Sequence, residues 1–228
     1  MVEEIPSSLL LAQSPFDTSQ LFVVIGILMY VVLGLIALWG AFCVVMVWRR
    51  VAQIRFRDEE TQSAFLDDVE EQLDAGDFDA VTELCDNDRR AMPQLAVLAV
   101  ANRESGYSKV RHLVADRFQR DVLADLEYRL SSVYTVIKSA PMVGLLGTVV
   151  GMMGAFGKLG GGETVDPKDL ATDIRVALVT TACGLAIAIP LVICTNSINV
   201  RIRKMEDLVG VGLIRFLEAF KSAIGAGK

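Results

Sequence analysis

The chain has 228 residues, a formal net charge of −6 and 53% hydrophobic residues, with positive mean hydropathy. The apolar residues collect in three blocks instead of being dispersed, which excludes an ordinary soluble globule and reads as an integral membrane protein. No basic stripe with interleaved aromatics appears, so no nucleic-acid partner is expected. No nucleophile–base set or phosphate loop is present either, so the chain does not read as an enzyme or a cofactor binder.

In chain order, residues 1–20 form a polar lead, MVEEIPSSLLLAQSPFDTSQ, with Glu3, Glu4 and Asp17 but no Lys or Arg. Lacking a basic n-region, it reads as a lead-in to the first span and not as a cleaved signal peptide. Residues 21–48 are free of charge and exceed the roughly 20 residues that cross a bilayer. They end on Trp48, Arg49 and Arg50, an interfacial aromatic with a basic flank. Residues 49–133 are a large polar loop with apolar residues at helical spacing, as in Phe65, Val69 and Leu73. The stretch from Asp58 to Asp88 carries many Asp and Glu and no Lys or Arg. It reads as a solvated face, with docking of a basic partner tail as the lesser alternative. Within it, AGDFDA predicts a turn between helices, broken at Gly76 and capped by Asp77 or Asp79, and Pro93 predicts a second break. From about Tyr107 to Phe156 the only strong stop is Pro141, so one long helix is predicted to run from the loop into the membrane.

The second span is placed at 134–156, with Lys138 near its start positioned to snorkel. A short glycine-rich loop follows at 157–175, then a third span at 176–198 and a helical tail at 199–228. Basic residues follow the first span (Arg49, Arg50, Arg55, Arg57) and the third (Arg201, Arg203, Lys204). The positive-inside rule then places the N-terminus outside, the C-terminus in the cytoplasm, and the large loop in the cytoplasm. No strand pattern is visible. The expected fold is an all-α integral membrane protein of three transmembrane helices with long cytoplasmic helical extensions.

Cys43, Cys85, Cys183 and Cys194 show no CxxC pairing and read as small buried apolar residues. His112 is the only histidine and has no Cys or His at ligand spacing, so no metal site is expected.

The second span holds APMVGLLGTVVGMMGAF. On a helix, Ala140, Gly144, Gly147, Gly151 and Gly154 fall on one face, and Gly147-x-x-x-Gly151 is a close-approach pattern for membrane helices. Thr148 sits at the edge of that face. In the third span Ala177, Thr181, Gly184, Ala188 and Thr195 share a face, while Thr180 points about 100° away from Thr181. Such faces serve helix packing alone, or line a narrow conduit, or pack around a foreign helix. A membrane threonine can also satisfy itself on its own helix. Pro141 and Pro190 are expected to kink their spans locally. No Asp, Glu or His lies deep in any span, so a proton carrier would have to come from another chain.

APMVGLLGTVVGMMGAF, followed after a short loop by ALVTTACGLAIAIPLV, resembles the ExbB/TolQ/MotA proton-channel family. The three-span layout with a large first cytoplasmic loop resembles its ExbB and TolQ branch. The resemblance implies a homopentamer in the bacterial inner membrane whose second and third spans surround a pore. It implies a dimer of single-span ExbD/TolR-like partners inside that pore, each carrying a proton-binding Asp. It further implies that proton flow drives mechanical work passed to a TonB- or TolA-like protein across the periplasm. Thr148 and Thr181 match pore-lining threonines of the family. Where ExbB-like relatives often have a Glu five positions before the span-three threonine, this chain has Val176. The competing expectation is a structural membrane scaffold with no proton flux.

Overall fold

The computed structural model describes residues 18–160 and 167–226. Most of the expected lead at 1–20 and the middle of the expected loop at 157–175 lie outside the described residues. Seven α-helices are described: α1 (Thr18–Ile54), α2 (Glu59–Asp74), α3 (Phe78–Cys85), α4 (Ala91–Ala101), α5 (Tyr107–Arg117), α6 (Ala124–Gly160) and α7 (Pro167–Ala226). A 3-10 turn at Arg103–Ser105 precedes α5, and a π-helical segment, Phe118–Leu123, joins α5 to α6. No strand occurs among the described residues. The chain is an all-α membrane protein: α1, the run from α5 through α6, and α7 are each long and apolar enough to cross a bilayer.

The helices overrun the boundaries expected from hydropathy. α6 continues through Gly160 and α7 begins at Pro167, so both enter the stretch expected as a loop. Pro167 opens α7, where its missing N–H costs no bond. Pro141 and Pro190 both sit within unbroken helices. The predicted long helix from Tyr107 is present, but it contains a π segment that no sequence signal announced.

Two compact units divide the chain. The first comprises residues up to Leu38 together with Val136–Ile189, and the second comprises Trp39–Thr135 together with Pro190 onward. In the first unit, segments of α6 and α7 pack through small residues. Large apolar side chains such as Leu28, Leu35, Leu145, Met153 and Ile193 are exposed along the spans, as expected for helices facing lipid or other chains.

The second unit is a helical bundle with a conventional core. Val51, Leu66, Val69, Leu73, Val81, Met92, Val110, Leu126, Phe216 and Phe220 are buried there. Phe216 and Phe220 stack at 5.7 Å, and Phe78 meets Phe220 edge-on at 6.4 Å. The AGDFDA turn forms with Gly76 at φ 76°, a left-handed conformation suited to glycine. Of the two candidate caps it is Asp77 that serves, accepting a hydrogen bond from the Ala80 amide at 2.9 Å. Pro93 does not break a helix. It is the third residue of α4, where the N–H would have no intrahelical partner. Cys43 and Cys85 are buried as expected, whereas Cys183 and Cys194 are only half-buried. Arg201 stacks over the ring of Trp48 at 4.3 Å, anchoring the interfacial end of the first span.

α2 is fastened to α7 by a polar row. The amide nitrogen of Gln62, 4% exposed, donates to the Leu208 carbonyl at 2.6 Å. One turn on, Gly212 leaves the room that the Gln62 amide fills; any Cβ there would strike its nitrogen. The next turn supplies Arg215, which donates to Asp67 at 2.5 Å and Glu70 at 2.7 Å. These hydrogen bonds, the one accepted by Glu70 first and that accepted by Asp67 second, raise the Arg215 pKa still further. Part of the acidic face is thereby neutralised internally. Gly212→Val is expected to evict Gln62 and destabilise the bundle by about 1–3 kcal/mol. An unfolding midpoint equal to that of the native chain would refute this arrangement.

Candidate functional site

The two small-residue faces meet each other. A Cβ built on Gly184 would lie 2.6 Å from the Ala140 carbonyl oxygen, and one on Gly144 would lie 2.8 Å from the Thr180 carbonyl oxygen. On Gly147 it would lie 2.5 Å from the Thr180 hydroxyl, and on Gly151 2.6 Å from Cβ of Ala177. Real Cβ atoms do not approach so closely, so glycine is required for this spacing of α6 and α7. Ala140 and Ala177 are buried in the same seam, Ala188 is 6% exposed, and Gly154 is buried toward its Phe156 end. Of the uses open to this face, helix packing is the one seen within the chain, where the third span lies against it.

Three threonines border this seam. Thr181 donates to the Gly144 carbonyl at 2.9 Å. Thr180 has the same carbonyl at 3.1 Å and that of Ala177 at 2.7 Å, and its one proton serves one of them at a time. Thr148 donates to Leu145, three residues earlier on its own helix, at 2.6 Å. Thr180 is 3% exposed and Thr148 7%, while Thr181 is half-buried. The structure brings Thr181 onto Gly144 but makes no hydrogen bond between Thr148 and Thr181 among the described residues.

Thr180 is the residue that the sequence reading set aside. The centre of the α7 face runs through Ala177, Gly184 and Ala188. Thr180 and Thr181 lie about 60° and 40° to either side of it, so a separation of about 100° leaves both at the seam. Measuring from the centre of the face, not from Thr181, would have found it.

Beside the seam lies a cavity of about 310 Å³, lined by Gly26 and Tyr30 of α1, Gly147 and Gly151 of α6, and Asp173 and Thr180 of α7. The Tyr30 hydroxyl donates to the Val176 carbonyl at 3.2 Å. Asp173 is half-buried.

Chemically, every one of these hydroxyl protons is directed at a backbone carbonyl. What remains for a visitor is oxygen lone pairs, that is, acceptors. No group of three or more metal-ligating side chains occurs among the described residues. Residues 21–48, 134–156 and 176–198 contain no carboxylate, and Asp173 stands just before the last of these stretches. The site is a close-packed pair of membrane helices bearing hydroxyl acceptors.

The fold and the seam thus define a multi-span helical membrane protein whose second and third spans form a glycine-mediated pair with hydroxyls at its margin. The chain belongs to the MotA/TolQ/ExbB proton channel family, whose model matches residues 92–209, a stretch containing both of these spans. It is 40% identical over 114 residues to the biopolymer transport protein ExbB of Helicobacter pylori, covering 50% of this chain and 76% of that one. It is 34% identical over 102 residues to the Tol-Pal system protein TolQ of Haemophilus influenzae, covering 45% and 43%. An ExbB-like biopolymer transport protein of Synechocystis aligns over 222 residues at 28% identity, covering 91% of this chain and 80% of the relative. Family and spans together make it a multi-pass inner-membrane protein.

Proposed function

We propose that this chain is the stator-like subunit of a proton-driven motor in the inner membrane. Five copies, with N-termini in the periplasm and C-termini in the cytoplasm, surround a dimer of single-span ExbD/TolR-like partners. Each partner span carries the Asp that loads and unloads protons. The work done is delivered across the envelope, to a TonB- or TolA-like protein, for import or envelope maintenance. Thr148 and Thr181 line the pore as acceptors for the protonated partner carboxyl.

The observation that carries this reading is the pairing of hydroxyl acceptors with apolar stretches, 134–156 and 176–198, that hold no carboxylate. Such a lining offers a protonated Asp a hydrogen-bond partner but cannot itself store a proton. A proton falling through about 100 mV releases about 2.3 kcal/mol, so a few protons suffice for a substantial conformational step.

The test is proton flux into vesicles under an imposed potential. Vesicles containing this chain and a single-span partner with one Asp in its span are expected to conduct. Vesicles with either component alone are not. No flux from the assembled complex would overturn the motor reading and leave a scaffold that anchors other envelope proteins.

A further inference from the structure

A second cavity, of about 350 Å³, lies within the helical bundle of the second unit, between the end of α1, α4 and the π segment. Its walls combine three guanidinium groups, Arg50, Arg89 and Arg117, with an apolar floor that includes Ile54, Leu95 and Leu98. Asp121 is the one carboxylate in the wall, and it is bound to Arg117 at 2.5 Å. Asp88, beside Arg89, is committed to Arg90 at 2.5 Å, and Arg89 has no carboxylate partner among the described residues. Arg50 is only partly satisfied. Its Nε is buried without a hydrogen bond, and its nearest carboxylate, Asp125 at 3.6 Å, is held by Arg129 at 2.9 Å.

The π segment supplies Asp121 and Val122 to the wall. π segments interrupt regular helix packing and often mark functional sites. From Arg50, successive turns of α1 lead back along Met46, Phe42 and Trp39, which are 40%, 56% and 59% exposed. A basic hollow thus opens at the Trp48 end of the first span, with an exposed apolar row leading from it into the membrane.

We propose that this cavity binds the phosphate of an anionic phospholipid from the leaflet at the Trp48 end of the span, with an acyl chain along Met46, Phe42 and Trp39. The phosphate supplies the counter-charge that Arg89 lacks and the hydrogen-bond acceptor that Arg50 lacks, and the apolar row accounts for a lipid in place of a free anion. Basic pockets at membrane-helix ends recognise such headgroups, each Lys or Arg contributing about fivefold to binding.

The test uses the full chain in detergent, titrated with fluorescent phosphatidylglycerol and separately with phosphatidylcholine, with native mass spectrometry of retained lipid. Phosphatidylglycerol is expected to bind at least about fivefold more tightly. Arg89→Gln, an exposed site with no structural bond to lose, is expected to weaken it about fivefold, and Arg50→Gln by as much or more. Equal binding of the two lipids, or unchanged affinity in Arg89→Gln, would overturn the proposal. Displacement of the lipid by inorganic phosphate at equal concentration would assign the hollow to a soluble anion and overturn the lipid assignment.

Discussion

Gly184→Leu is expected to abolish the folded pairing of the second and third spans, and Gly184→Ala to cost about 1–3 kcal/mol on its own. The reason is the neighbour. The added Cβ would lie 2.6 Å from the Ala140 carbonyl oxygen, which is backbone and cannot rotate aside. Gly144→Ala meets the same obstacle at 2.8 Å from the Thr180 carbonyl. Gly147→Ala strikes the Thr180 hydroxyl, a short side chain already bonded to backbone carbonyls. Gly34→Ala is the control, because nothing lies within 4 Å of a Cβ there. Thermal unfolding in detergent, read by intrinsic fluorescence, separates the two classes. If Gly184→Leu unfolds at the temperature of Gly34→Ala, the close pairing of α6 and α7 is wrong.

The same geometry shows what periodicity alone conveys. Apolar blocks and a spacing of 3.6 residues were enough to read three spans and the faces of α6 and α7, because burial in a helix leaves that period in the residue sizes. They did not reveal which helix fills a face. A stripe of small residues is the same whether the neighbour is foreign or comes from the same chain, and only contacts such as Gly184 on Ala140 decide it. Proline marks either a break or a first turn, and only the α4 boundary places Pro93 in the second class. The π segment at Phe118–Leu123 left no compositional trace, since it follows from packing against distant helices. Arg50, Arg89 and Arg117 are far apart in sequence, so their convergence was invisible until the fold brought them together.

The double variant Thr148→Val, Thr181→Val is expected to reduce partner-dependent proton flux about thirtyfold while the complex still assembles. Valine keeps the volume of threonine but offers no acceptor. Two lost hydrogen bonds to a protonated carboxyl, at about 1 kcal/mol each, give that factor. Assembly survives because little of the packing depends on these hydroxyls. The Thr148 proton goes to its own helix, and the Gly144 carbonyl bonded by Thr181 remains within reach of Thr180 at 3.1 Å. A membrane hydrogen bond of this kind averages only about 0.6 kcal/mol. Thr180→Val supplies the contrast. That hydroxyl is 3% exposed and faces Gly144 and Ala177, so its loss is expected to lower stability and leave flux per assembled complex nearly unchanged. The discriminating measurement is flux normalised to intact complex. If the double variant conducts like the native protein, Thr148 and Thr181 are packing residues and the proton takes another route. If Thr180→Val alone stops conduction, the acceptor lies in the buried seam and the pore assignment moves from Thr181 to its neighbour.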